Sequence, residues 1–172
     1  IYEEICLNTI KESLKGISYS FISYGETSSN KLDLLIGNLD EDCSNINYHG
    51  IYPRLLDNLI KAIKLKENKP KKLSISLSYF LVYDNNLIDL SKFNNIDLAS
   101  CNRDDLFNKA YIIKNETDII NKIDKTKIEK VEESLLLLKK VISFLKKLEK
   151  DYNEHLYSRS HICIVLYLTS KK

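Results

Sequence analysis

Apolar positions along the chain change period several times, and each change predicts an element. Tyr2, Cys6, Ile10 and Leu14 recur at steps of four, with Glu4, Asn8, Lys11 and Lys15 opposite them. That spacing predicts an amphipathic helix, and Gly16 predicts its end. Ile17 to Tyr24 is rich in aromatic and β-branched residues and predicts a strand. A loop over Gly25–Lys31 follows, with a helix starting near Lys31. Asn38 to Gly50 is polar and acidic and predicts a surface loop. Ile51 to Lys64 predicts a second amphipathic helix. Ile51, Leu55, Leu59, Ala62 and Ile63 form its inner face, and Pro53 sits in the first turn, where a missing N–H costs little.

Glu67 to Lys72 reads as a charged turn, and Leu73 to Tyr83 alternates apolar residues with serine, the clearest strand pattern in the chain. Asp84-Asn85-Asn86 predicts a turn, and Leu87 to Leu90 a short returning strand. Ser91 to Asn108 shows no periodicity and reads as irregular. Ala110 to Ile113 fits another short strand, and Thr117-Asp118 a helix start. Ile128 to Lys150 predicts a long helix on Ile128, Val131, Leu135, Leu138, Ile142 and Leu145; Ile162 to Leu168 predicts a last strand. Helices alternating with strands predict an α/β domain whose sheet is flanked by helices.

Composition narrows the class. The 172 residues are 44% hydrophobic and 29% charged, enough for one domain with a sizeable core and too apolar for disorder over most of the length. Heavy use of asparagine, lysine and isoleucine fits an AT-rich genome. A net charge of +2 gives no reason to expect a nucleic-acid or membrane partner. Cys6, Cys43, Cys101 and Cys163 form no Cys-x-x-Cys pair, so free thiols in a reducing cytosol are expected rather than zinc. No segment is apolar enough to span a bilayer, and no signal peptide is evident. A start in a helical pattern without methionine predicts an excised piece of a larger protein.

The candidate chemistry lies in Gly25 to Leu32, reading GETSSNKL. A phosphate-binding loop reads G-x-x-x-x-G-K-[ST]: one glycine turns off the strand, a second lets backbone approach phosphate, lysine reaches the outer phosphates and a hydroxyl binds magnesium. Gly25 and Lys31 occupy two of those positions, while Asn30 replaces the second glycine and Leu32 the hydroxyl. A Cβ where φ must be positive costs about 1 kcal/mol, and asparagine is among the residues that tolerate it best. Taken alone, Lys31 reads as an ordinary surface lysine at a helix start. Lys139, Lys140, Lys146, Lys147 and Lys150 read most simply as the wet face of the long helix, Tyr79, Phe80 and Tyr83 as strand residues, and Asp40, Glu41 and Asp42 as a solvated loop.

Five segments in a fixed order add a family resemblance. Ile1-Tyr2-Glu3-Glu4 resembles the start of the helix before the kinesin phosphate loop. Phe21 to Thr27 resembles F-A-Y-G-Q-T, and Gly50-Ile51-Tyr52-Pro53-Arg54 resembles G-I-I-P-R. Leu77 to Leu90 resembles the strand ending in I-Y-N-E-x-x-D-L-L. Asn153-Glu154-His155 with Ser158-Arg159-Ser160-His161 resembles the switch N-E-x-S-S-R-S-H. The resemblance covers nearly the whole chain. It implies a P-loop NTPase-type mixed sheet flanked by helices, incomplete, with residues 1–172 running from the helix before the loop through the first switch and its following strand.

By the same resemblance, Lys31 would neutralise phosphate. Gly25, Thr27 and Ser29, with the backbone of Glu26, Ser28, Asn30 and Leu32, would wrap it. Ser158 would sense the γ-phosphate, Arg159 would pair with a second-switch glutamate, and His161 would begin the next strand. Implied cofactors are ATP and magnesium; implied partners are the microtubule and tubulin, and a partner motor chain; the implied location is the cytoplasm and its cytoskeleton. The bend from Tyr24 to Leu32 would curl beneath an anion-sized hollow rimmed by Ser158–His161.

Departures from the family pattern point to weakened ATPase activity. Ser28, Asn30 and Leu32 stand where the family loop G-Q-T-G-S-G-K-T has two glycines and a threonine, and Leu156 and Tyr157 fill a space the family spans with one serine. The motifs D-x-A-G-S-E and R-x-R-P do not occur in these 172 residues. The alternative reading is a non-catalytic kinesin homology module that binds microtubules or an active partner motor, dimerising through the long helix as a coiled-coil seam.

Overall fold

The structure is a computed structural model that describes residues 2–26, 29–38, 45–65, 72–84, 86–93, 102–108, 110–112, 123–152 and 156–170. Two compact units make up the chain. One comprises Ile1–Ile75, Ile128–Leu136 and Leu168–Lys172; the other comprises Ser76–Lys127 and Leu137–Tyr167.

In the first unit, helix α1 (Tyr2–Ser13) buries Cys6 and Ile10 of the predicted stripe together with Thr9, while Tyr2 and Leu14 are half-buried. It packs on helix α3 (Ile51–Lys64), and the Asn58 amide donates to the Tyr2 hydroxyl across the contact at 2.6 Å. Helix α3 buries Tyr52, Pro53, Leu55, Leu56, Leu59 and Ile60. The inner face is therefore centred further round than the sequence suggests. Tyr52, Leu56 and Ile60 are deep, while Ile51, Ala62 and Ile63 are half-buried. Tyr52 explains part of that turn: its hydroxyl shares a short hydrogen bond with buried Ser134, and so faces inward despite being polar.

The strand expected over Ile17 to Tyr24 is absent. These residues take no regular secondary structure and pair with no strand among the described residues, and Ile22 and Tyr24 are 87% and 98% exposed. Strand propensity supplies no hydrogen bonds by itself; a strand exists only when a neighbour satisfies its backbone groups. Beyond the loop comes the short helix α2 (Lys31–Leu35), which packs on α3. The predicted surface loop contains a 3-10 turn, Ile46–Tyr48, and is closed by a bridge between Gly37 and His49. Asp40, Glu41, Asp42 and Cys43 lie outside the described residues.

Strand β1 (Leu73–Tyr83) is the axis of a five-stranded sheet. Within the second unit it pairs antiparallel with β2 (Asn86–Asp89), in register from Phe80 opposite Asp89 to Tyr83 opposite Asn86. Strand β3 (Ala110–Ile112) continues antiparallel beyond β2. On the other side of β1, β4 (Thr126–Lys127) sets Leu77 opposite Thr126. Strand β5 (His161–Ser170) also pairs with β1, and the Ser74 and Thr169 hydroxyls meet at 2.8 Å. Both faces of the middle of β1 are buried, so its serines are not a wet face: Ser78 is fully buried and donates to the Asp124 carbonyl at 2.8 Å. Phe80, Leu87 and Ile123 form a cluster joined by Val82, Cys163 and Val165.

The long helix α5 runs Val131–Tyr152, starting three residues later than the periodicity suggests. Thr126 and Lys127 are taken by β4, and the Ile128 N–H donates to the Ile75 carbonyl at 3.2 Å, which keeps Ile128 in the sheet connection. Val131, Leu135, Leu138, Ile142 and Leu145 are all buried, so the seam faces the protein's own interior rather than a coiled-coil partner. The stretch read as irregular holds a 3-10 turn (Leu90–Phe93) and helix α4 (Arg103–Phe107). A reciprocal cap opens α4: Asn102 Oδ1 accepts from the Asp105 N–H at 3.0 Å, and Asp105 Oδ2 accepts from the Asn102 N–H at 2.9 Å. This is the capping-box pattern with a shorter acid. Thr117 and Asp118 lie outside the described residues, as do Cys101, Asn153, Glu154 and His155.

Candidate functional site

The candidate loop begins at Gly25 and enters α2 at Lys31. Asn30 sits at the start of that helix with φ 52° and ψ 24°, a left-handed backbone. This is the conformation for which a glycine is ordinarily used, and asparagine takes it at modest cost. Its carbonyl still accepts the Leu34 N–H at 3.1 Å, so the helix starts in spite of the substitution.

One carbonyl organises the bend. Glu26 O accepts from the Ser29 N–H at 3.1 Å, from the Ser29 hydroxyl at 2.8 Å and from Lys31 Nζ at 2.7 Å. The Ser23 hydroxyl reaches the Lys31 carbonyl at 3.3 Å and ties the two ends of the bend together. Gly25 comes so close to Ser29 that a Cβ there would lie 2.6 Å from the Ser29 hydroxyl oxygen. The structure therefore brings Gly25, Glu26, Ser29, Asn30 and Lys31 into one compact turn. Thr27 and Ser28 lie outside the described residues.

This donor set suits an anion: an ammonium and a hydroxyl point at the same small oxygen-accepting spot, both on the exposed side of the turn. It does not suit a divalent cation at the position the loop pattern reserves for one, because Leu32 carries no side-chain oxygen. Among the described residues no group of three or more His, Cys, Asp or Glu side chains could hold a metal ion.

Ser158 and Arg159 sit on the short helix α6 (Leu156–Arg159), between α5 and β5. This turn of helix was not legible in the sequence; the inserted residue among Leu156 and Tyr157 belongs to it. Arg159 is exposed at its end, and His161 opens β5 as the motif order implies. The Ser158 hydroxyl donates to Glu149 Oε1 at 2.7 Å, and the Ser158 N–H faces the same oxygen at 3.4 Å. Glu149 carries no motif signal: its partner is nine residues away, beyond the end of α5. The loop and Ser158 fall in different compact units.

The fold places this chain among motor structures. It matches the Drosophila kinesin family member NOD in complex with AMPPNP with a TM-score of 0.66 at 16% identity, covering 99% of this chain and 48% of that one. The structure titled as a fast kinesin matches with a TM-score of 0.71 at 18% identity, over 99% of this chain and 44% of that one. NOD has also been determined with divalent manganese and ADP, and that structure matches with a TM-score of 0.65 at 16% identity, covering 99% of this chain and 49% of that one. The architecture is the P-loop NTPase fold in its motor-domain form.

Sequence comparison makes the assignment specific. The kinesin motor domain model matches residues 1–172, and the chain belongs to that family. Mouse kinesin-like protein KIF9 is 27% identical over 90 residues, 52% of this chain and 11% of the relative. Arabidopsis thaliana kinesin-like protein KIN-1 is 29% identical over 97 residues, 55% of this chain and 20% of the relative. The chain thus spans a fifth or less of these two relatives and under half of the three structures compared.

Proposed function

We propose that this part of a kinesin motor domain binds the phosphates of ATP or ADP at the Gly25–Lys31 turn, loosely, and supports hydrolysis slowly or not at all. The single observation that carries the reading is the convergence of Lys31 Nζ and the Ser29 hydroxyl on the Glu26 carbonyl. Both donors are already gathered around one oxygen. A phosphate oxygen would have to draw these two donors away from the Glu26 carbonyl, leaving the Ser29 N–H to hold the bend, and the hydroxyl's bond to an anion is about twice as strong as a neutral one. The AMPPNP and manganese–ADP complexes of NOD support a nucleotide as the source of that phosphate.

Slow hydrolysis follows from Leu32. Phosphoryl transfer relies on positioning and on neutralising charge, with magnesium supplying much of the latter. A leucine cannot hold the metal, so Lys31 must carry the neutralisation at this end of the site. Ser158 and Arg159 are assigned the switch roles of their motif, Ser158 sensing the γ-phosphate and Arg159 pairing with a second-switch glutamate. The same loss favours a second reading, a non-catalytic homology module acting beside an active motor chain. The first reading has the whole protein acting on microtubules, in the cytoplasm and its cytoskeleton, and the second has it binding microtubules or a partner motor; NOD complexed to the microtubule supports the microtubule as partner.

Titration with fluorescent ADP tests the binding claim: saturable binding is expected, lost on Lys31→Ala. Brisk microtubule-stimulated ATP turnover by the unaltered protein would refute the slow-hydrolysis claim. Asn30→Gly with Leu32→Thr is expected to strengthen nucleotide binding and make it magnesium-dependent.

A further inference from the structure

We infer that Glu149 is an internal competitor for phosphate at Ser158, a built-in restraint on γ-phosphate recognition. The inference rests on the switch role proposed for Ser158 and adds a residue that no motif marks.

Two donors of Ser158, its hydroxyl and its N–H, face one carboxylate oxygen, at 2.7 and 3.4 Å. A phosphate oxygen seeks just such a pair. An ionised carboxylate and a phosphate oxygen are both anionic acceptors, so with respect to Ser158 they occupy the same place. Glu149 holds this place from α5, a helix of 22 residues whose seam is buried, while Ser158 sits on a four-residue helix. The carboxylate is thus carried by the firmer element and the serine by the slighter one. While the Ser158 proton is given to Glu149, the oxygen presents only lone pairs elsewhere, the wrong polarity for a phosphate oxygen. Sensing the γ-phosphate then requires Ser158 to leave Glu149. That exchange of one anionic acceptor for another yields little net free energy, because the bond lost is of the strength of the bond gained.

The same geometry separates this role from plain structural support. A structural glutamate, once removed, weakens every ligand through lost order. A competitor, once removed, strengthens only ligands that engage Ser158.

The test uses the full-length protein and two probes, fluorescent ADP and a fluorescent non-hydrolysable ATP analogue. Glu149→Ala is expected to tighten the ATP analogue about tenfold relative to ADP, the size of one hydrogen bond to a charged group. Glu149→Gln keeps an acceptor without the charge and is expected to fall between the unaltered protein and Glu149→Ala. In a Ser158→Ala background the effect of Glu149→Ala should vanish. An unchanged ratio of the two affinities, equal weakening of both probes, or a gain that persists with Ser158→Ala overturns the competitor role while leaving the binding loop standing. Failure of the unaltered protein and all variants to bind either probe overturns both this role and the proposed function.

Discussion

Replacing Gly37 with alanine probes the tightest backbone crossing in the first unit. Gly37 has φ 101°, a region that L side chains enter at a cost of about 1–2 kcal/mol. A Cβ there would lie 2.0 Å from the Tyr48 carbonyl oxygen, 2.6 Å from the Gly50 nitrogen and 3.0 Å from the His49 carbonyl carbon. All three are backbone atoms, so no side-chain rotation relieves the clash. They also belong to the closure that holds the segment: the Asn38 N–H donates to the Tyr48 carbonyl at 2.9 Å, and the Gly50 N–H to the Ile36 carbonyl at 3.1 Å. Overpacking costs about 1–3 kcal/mol, which brings the total for Gly37→Ala to roughly 2–5 kcal/mol. Gly16 is the control. Its φ is 97°, yet nothing lies within 4 Å of a Cβ built there. Gly16→Ala retains the backbone strain alone, offset in part by about 0.4–1 kcal/mol from the stiffer unfolded chain. Urea unfolding followed by circular dichroism should place Gly37→Ala about 1–3 kcal/mol below Gly16→Ala, the difference being the steric part. For a chain of this size that difference lowers the melting temperature by roughly 2–12 °C. Equal stabilities of the two variants would refute the crossing of Gly37 with the 48–50 backbone.

Other expectations follow from buried polar groups. Tyr52→Phe removes the hydrogen bond to Ser134 and should cost about 1 kcal/mol in urea unfolding, with Tyr52→Phe/Ser134→Ala costing less than the sum of the two single changes. Asp89, fully buried, accepts from the Ser91 N–H at 2.9 Å, the Ser91 hydroxyl at 2.6 Å and the Asp124 N–H at 2.9 Å. Asp89→Ala strips acceptors from both segments and should lower stability by about 3 kcal/mol or more; a loss under 1 kcal/mol in the same assay would rule out that bridging role. Burial pushes the Cys163 thiol up from its ordinary value of 9.0. A raised folded-state value means the thiol's contribution is fully present below pH 9.0 and fades as pH climbs through the folded value, because the unfolded chain releases its proton first. The stability difference between the unaltered protein and Cys163→Ala should therefore shrink as pH rises above 9.0, and thiol reagents should label Cys163 slowly at neutral pH.

Local pattern carried much of this protein. The steps of four in α1, the extent of α3, the apolar run of β1 and the seam of α5 were legible because a helix or a buried strand writes its period into neighbouring residues, although the deepest face of α3 lay further round than its spacing suggested. Motif order likewise identified the family, since a short run of residue types at fixed spacing is itself a sequence property. The left-handed backbone at Asn30 was foreseeable for the same reason: only a few residue types tolerate it. Tertiary structure decided the rest, wherever a conformation depends on a partner distant in sequence. Ile17 to Tyr24 has strand composition but no ladder to join. Ile128 has helical spacing, yet its N–H goes to Ile75. Ser158 met Glu149 only because the chain turns back after α5. Periodicity records which way a side chain points along its own element; it holds no record of which backbone or carboxylate will be waiting there, because that is set by the packing of segments the pattern treats as strangers.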